Sequence, residues 1–68
     1  MTNIYTEDGA ELTAGDRAYN YYDRKAGTVG TIERDGWFDF THDDGGSAFL
    51  NGERVCSLDY ARRRGWVA

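Results

Sequence analysis

The chain holds 68 residues, of which 40% are hydrophobic, 15% aromatic and 29% charged, with nine glycines, no proline and one cysteine. A domain of this size hides only about 60% of its unfolded surface, which excludes a second core and predicts a single domain over 1–68. The formal charge of −4 is divided by sign: residues 1–53 carry eleven acids against Arg17, Arg24, Lys25 and Arg34, a net −7, and residues 54–68 carry Arg54, Arg62, Arg63 and Arg64 against Asp59, a net +3. Such a body repels phosphate backbones over most of its surface and attracts basic proteins.

Ten aromatic side chains, each able to bury roughly 150–250 Å², suffice for one compact core without disulfides. Cys56 has no second cysteine to pair with, so an oxidising compartment offers no stabilisation and a reducing cytoplasm is expected. The opening Met1-Thr2-Asn3-Ile4-Tyr5 has neither a basic leader nor an apolar run. No later segment approaches the length of about 20 apolar residues that a membrane helix needs, so the chain is expected to be neither exported nor embedded.

Glycines fall at intervals between short runs of aromatic and β-branched residues, the punctuation of a small β-protein. Asp8-Gly9 separates Ile4-Tyr5-Thr6 from Glu11-Leu12, predicting an opening hairpin within 1–15. Five strands follow, at Arg17–Tyr22, Gly27–Arg34, Trp37–His42, Ser47–Leu50 and Glu53–Val55. Asp35-Gly36, which accepts the positive φ of a tight hairpin, joins the second to the third. Gly45-Gly46 and Asn51-Gly52 provide the next two turns.

In the third strand the period of two places Phe38 and Phe40 on one face and Trp37, Asp39 and Thr41 on the other. Val29 and Ile32 are three apart and cannot both point inward along a straight strand, so Gly30 is expected to supply a bulge or sharp bend. The expected core is Phe38, Phe40, Val29, Ile32, Leu58 and one of Phe49 and Leu50. From Ser57 the pattern becomes helical over 57–65, with Ser57 as N-cap, Asp59 near the positive end and Arg62, Arg63 and Arg64 near the negative end. Gly65 fits the left-handed stop, with Trp66 folding back as the hydrophobic contact after it.

The run Leu12-Thr13-Ala14-Gly15-Asp16-Arg17-Ala18-Tyr19, followed by Ala26-Gly27-Thr28-Val29-Gly30-Thr31-Ile32, resembles the opening of KOW and other SH3-like domains. There a Gly-Asp turn leads the first strand and a Gly-x-Val-Gly-x-Ile pattern forms the second. The resemblance covers about twenty residues and implies a mostly-β, five-stranded SH3-like barrel with a short C-terminal helix; it speaks for fold more than for function. KOW domains commonly touch RNA or a ribosomal or polymerase partner, whereas Thr28 and Thr31 stand here where nucleic-acid-binding members often carry basic residues.

The second half, from Asp35-Gly36-Trp37-Phe38-Asp39-Phe40 through Asn51-Gly52-Glu53-Arg54-Val55-Cys56-Ser57-Leu58 to Arg64-Gly65-Trp66, is similar to small proteins carried by bacteriophages and mobile elements. That similarity implies an accessory protein in the cytoplasm of a bacterial host cell, docking on a host or defence protein, the class to which anti-CRISPR inhibitors belong.

Asp39, Asp43 and Asp44, with Glu33, Asp35 and His42, form the densest acidic cluster, and it falls on one hairpin and its turn. It is either a docking surface for a basic partner or a solvated turn in which Asp suits the loop backbone. Trp37, Tyr19 and Tyr21, with Tyr22 and Tyr60, are the aromatics expected to reach the surface, and Tyr and Trp are enriched where proteins bind one another. Arg62, Arg63 and Arg64 form either a phosphate clamp, which would carry a nucleic-acid-binding alternative, or the ordinary cationic complement of a helix end.

Adjacent aspartates supply hard oxygen ligands, but the spaced loop with a closing Glu that calcium needs is missing, and His42 lacks a nearby second zinc ligand in sequence. No metal or other cofactor is therefore expected, and His42 is expected at the surface of a strand end. Cys56 and His42 invite a nucleophile-and-base hypothesis, but a barrel this small fills its interior with its own side chains. Cys56 is expected to be a small buried hydrophobe, and the chain a non-catalytic binding module.

Overall fold

The computed structural model describes residues 3–67; Met1 and Thr2 of the expected opening hairpin, and Ala68 at the other end of the expected domain, lie outside them. In chain order the elements are β1 (Ile4–Tyr5), β2 (Glu11–Leu12), β3 (Arg17–Asn20), β4 (Lys25–Ile32), β5 (Phe38–His42), β6 (Ser47–Leu50), a 3₁₀ turn (Gly52–Arg54), β7 (Val55–Ser57) and α1 (Leu58–Arg63). β1 and β2 form a separate antiparallel pair, and the other five strands form one antiparallel sheet in the order β6-β5-β4-β3-β7. The protein is thus mostly β with one short C-terminal helix. β6 and β7 are the sheet's two edges and do not pair with each other, so hydrogen bonding does not close the sheet into the expected barrel.

The bend expected at Gly30 is present. Pairing between β4 and β5 runs Gly27 to His42, Thr28 to Thr41 and Val29 to Phe40, then slips by one residue so that Ile32 meets Phe38. The extra residue lets Val29 and Ile32 face the same interior despite their spacing. Phe38 and Phe40 are wholly buried and meet edge to face, with centroids 6.4 Å apart. Ile4, Leu12, Ala18, Val29, Leu50 and Val55 complete this core, and Ile32 and Ala48 pack at its margin.

Gly27 is needed for a steric reason. A Cβ there would overlap the Thr41 carbonyl oxygen and lie 2.8 Å from the Phe40 ring. A second, smaller cluster occupies the other face of the sheet, where Tyr19 and Cys56 are buried against Ala61 of α1, with Leu58 and Tyr60 packed beside them. Leu58 therefore belongs to this outer cluster rather than to the Phe38 core, and of the pair Phe49 and Leu50 it is Leu50 that turns inward.

Several element boundaries differ from expectation: β4 runs Lys25–Ile32 rather than Gly27–Arg34, β5 begins at Phe38 rather than Trp37, the helix is confined to Leu58–Arg63, and at two further places a side chain captures the backbone. β3 stops at Asn20 instead of Tyr22, since the Asn20 side-chain oxygen Oδ1 accepts from the backbone N–H groups of Tyr22 and Asp23 at 3.1 and 3.2 Å and turns the chain. The turn closes through Arg24 at φ 59°, the one described non-glycine residue with positive φ. Glu53 and Arg54 are in a 3₁₀ turn rather than a strand, because Asn51 caps it by accepting from the Glu53 N–H at 3.1 Å. The last strand is displaced to Val55–Ser57, where it pairs with β3.

Ser57 caps α1 by accepting from the Tyr60 N–H at 3.1 Å. At the other end Gly65, at φ 78°, donates to the Arg62 carbonyl and Trp66 donates to the Ala61 carbonyl, the paired bonds of a Schellman stop. No helix among the described residues is long and apolar enough to cross a membrane.

Phe38→Ala and Phe40→Ala should each cost about 3–5 kcal/mol, enough to unfold a domain of this size. Gly27→Ala should also lower the melting temperature strongly, because the added methyl has no room; a thermal scan in which it melts with the wild type would contradict the close approach of β4 and β5.

Candidate functional site

The side chains singled out in the sequence fall on two separate surfaces, at opposite edges of the sheet. At the β5–β6 edge, Trp37 stacks on Phe49 with centroids 5.6 Å apart, and Phe49 is 54% exposed. Asp39 is the cross-strand partner of Phe49 and points outward, as the alternation of β5 requires. It forms no ion pair with another described residue.

Asp43 and Asp44 are differently placed. The Arg17 guanidinium grips both oxygens of Asp43 at 2.6 Å, and Lys25 meets Asp44 at 2.8 Å. These hydrogen bonds hold both carboxyls below the usual carboxylate range, with a backbone bond from Gly46 assisting at Asp44. Their charge is thus answered within the protein, whereas Glu33, Asp35 and Asp39 are exposed and form no ion pair with another described residue; of these, Asp39 is the one set across the ladder from Phe49, beside the Trp37–Phe49 stack.

The second surface lies where α1 crosses β3 and β7. Tyr19, Tyr21, Arg24 and Trp66 line a groove of about 490 Å³. A smaller hollow of about 190 Å³ adjoins it, walled by Glu7, Asp8, Tyr21, Cys56, Tyr60 and Trp66. Trp66 organises both, stacking on Tyr19 at 5.8 Å and meeting Tyr60 edge-on at 5.9 Å.

Tyr19 was expected at the surface but is 4% exposed, because Cys56, its partner on β7, and the helix cover it; only its rim reaches the groove. Tyr21 is half-buried, and its hydroxyl donates to the Glu53 carbonyl. Burial, then the Glu7 carboxylate, pushes the Tyr21 phenol up.

Trp66 and Arg24 are the groove residues that the sequence reading did not single out. The Gly65 stop signalled that Trp66 would return to the body but not that 43% of it would remain exposed. Arg24 owes its position to the left-handed turn that Asn20 initiates.

Each of the three C-terminal arginines has a contact within the protein. Arg62 pairs with Asp59 at 3.3 Å, Arg63 lies 6.0 Å over Tyr60, and Arg64 lies 5.5 Å over Trp66. Arg54 sits 4.4 Å over Tyr22. Cations over aromatic faces are favourable contacts in their own right.

His42 is a correction to the surface placement. It is 5% exposed, packs edge-on against Phe40, and bonds to the Asn20 amide at 3.2 Å. The fully buried Asn20 also donates to Asp23, so the His42 ring is held in a satisfied polar cluster. Cys56 is buried, and burial together with Asp8 pushes its thiol up to about 11, so almost none is thiolate at neutral pH. No group of three or more metal-ligating side chains converges among the described residues.

No protein-family model, curated protein or solved structure matches the chain.

Asp8 ties the opening hairpin to the helix. Its carboxylate accepts from the Thr6 hydroxyl, the Ser57 N–H at 3.2 Å and the Ser57 hydroxyl at 2.8 Å. Burial acts to raise its pKa, but these hydrogen bonds together outweigh that effect and hold it below its ordinary 3.8. A carboxyl depressed in the folded state stabilises above its unfolded pKa, and the stabilisation is lost as pH falls through the folded value. Asp8→Asn should therefore melt below the wild type at neutral pH, with the gap closing as pH drops below 3.8. A gap independent of pH would show that the charge on Asp8 is not what the cap uses.

Proposed function

We propose that this chain is a non-catalytic binding module of SH3-like architecture that docks on a basic protein through its β5–β6 edge. The observation that carries this reading is the outward-facing Trp37–Phe49 stack beside an Asp39 without an internal counter-charge, on a body of net −7 over residues 1–53. Aromatic anchors bordered by complementary charge are what protein interfaces use for affinity and for fast association. A meander bent at Gly30, whose last strand returns beside its first, supports the SH3-like reading.

The buried and protonated Cys56 and the satisfied His42 cluster support a non-catalytic role. In the setting that the resemblance to phage-borne proteins implies, the partner is a host or defence protein in the bacterial cytoplasm, and anti-CRISPR-like inhibition is one form the docking can take.

A second reading, KOW-like binding of nucleic acid, has one observation in its favour: the groove of Tyr19, Tyr21 and Trp66 is bordered by Arg24, with Arg64 over Trp66. Stacking faces beside cations suit single-stranded nucleic acid. Against it stand the acidic body and the contacts that already engage Arg62 with Asp59, and Arg63 and Arg64 with the Tyr60 and Trp66 rings.

Two measurements decide. Capture from bacterial lysate with tagged chain, read by mass spectrometry, should recover a basic protein that is lost with Trp37→Ala and Asp39→Asn and weakens as salt rises. Fluorescence anisotropy with labelled single- and double-stranded oligonucleotides near physiological salt should show no appreciable binding. Micromolar affinity abolished by Trp66→Ala, or by alanine at Arg62, Arg63 and Arg64 together, would promote the second reading and demote the first.

A further inference from the structure

The two edges of the sheet are treated differently. On β7 the turn of the opening hairpin covers the rim: the Glu7 N–H donates to the Val55 carbonyl at 3.3 Å and the Ser57 N–H is taken by Asp8. On β6 nothing comparable occurs. The His42 N–H donates to the Gly46 carbonyl at 2.7 Å, and this bond sets the phase of the β5–β6 ladder. Phe40 with Ala48 and Phe38 with Leu50 are then the hydrogen-bonded pairs, and Ser47 and Phe49 turn their backbone N–H and C=O away from β5. None of these four groups bonds to another described residue.

Exposed edges are ordinarily guarded by charge, proline or a bulge. The β6 sequence, Ser47-Ala48-Phe49-Leu50, has no charge and no proline, and its pairing with β5 has no register shift.

We propose that β6 receives an added strand from the docking partner, an extended segment with basic side chains alternating with small apolar ones. The proposal rests on the docking reading above and specifies how that edge is engaged. Strand addition supplies affinity through the ladder and selectivity through alternate side chains.

On the outer face, a side chain of the added strand beside Phe49 meets the Trp37–Phe49 stack, with Asp39 one strand further in. A Lys or Arg there has an aromatic face and a carboxylate to answer it. On the inner face the added strand lies beside Ala48 and the 7% exposed Leu50 at the margin of the core, where small apolar residues fit. A second copy of this chain is the weaker occupant, because its β6 brings no cation and two bodies of net charge −4 repel.

The probe is the blocked pentapeptide acetyl-Lys-Val-Arg-Val-Lys-amide, titrated into isotope-labelled full chain and followed by NMR. Binding should shift the Ser47 and Phe49 amide resonances, slow their hydrogen exchange, and weaken with Asp39→Asn. Ser47→Pro removes an outward N–H that the native ladder does not use, a substitution an edge strand tolerates, and leaves Trp37, Phe49 and Asp39 in place. It should lower probe affinity about tenfold or more, as should N-methylation of the probe's ladder-forming amides, which needs no change in the protein. Equal binding by the proline variant and by the methylated probe would overturn strand addition while leaving charge-driven docking intact. No binding at millimolar probe, or a concentration-dependent dimer abolished by Ser47→Pro, would also overturn it, the latter by seating a second copy on the edge.

Discussion

The crossing of β4 over β5 is the constraint on which the rest of the structure depends. Phe40 can lie against the backbone of β4 only because residue 27 has no side chain, and the slip after Val29 brings Ile32 back to the same interior. With Phe38, Phe40 and His42 committed inward, the period of the strand sends Asp39 and Thr41 outward. The acidic, aromatic face beside β6 is thus a consequence of how the core is filled. A one-residue slip of β5 would bury Asp39 and expose both phenylalanines, a change no surface interaction could offset.

A second constraint acts at the other end of the sheet. Asp8 accepts from Thr6 and Ser57, and Ser57 in turn caps α1 by accepting from Tyr60, so the opening hairpin, the last strand and the helix share one chain of hydrogen bonds. This arrangement covers the β7 edge and places Trp66 over Tyr19. It also makes the sheet asymmetric, with one rim sealed by the protein's own chain and the other exposing unpaired backbone beside a stacked aromatic pair. The free energy at stake in the exposed ion pairs of Arg17 and Lys25 is modest, so their main effect is to subtract Asp43 and Asp44 from the field that a partner meets.

Much of the sheet was legible in the sequence because glycine and the period of two carry strong steric information. Asp35-Gly36, the bulge at Gly30, the Ser57 cap and the Gly65 stop each follow from a local requirement that few residues satisfy. What escaped was set by side chains acting on the backbone or by contacts distant in sequence. Asn20 ends β3 through its own amide, and Asn51 converts Glu53 and Arg54 from strand to 3₁₀ turn. His42 is drawn inside by Asn20, 22 residues away in sequence. The surface was less legible than the core: composition could gather Asp39, Asp43 and Asp44 into one cluster, but only the fold shows that Arg17 and Lys25 answer two of them, and that Tyr19 lies beneath a helix while Phe49 does not.

Native-state hydrogen exchange of the free protein, resolved by amide, is the most direct test of this account. The amides of Phe38, Phe40, Ala48 and Leu50, which form the β5–β6 ladder, and of Ser57, which Asp8 accepts, should be strongly protected, while those of Ser47 and Phe49 should exchange at rates close to an unstructured chain. Strong protection of Ser47 and Phe49 in the monomer would mean that the edge is already covered. That result would contradict the asymmetry between the two rims from which the binding mode is derived.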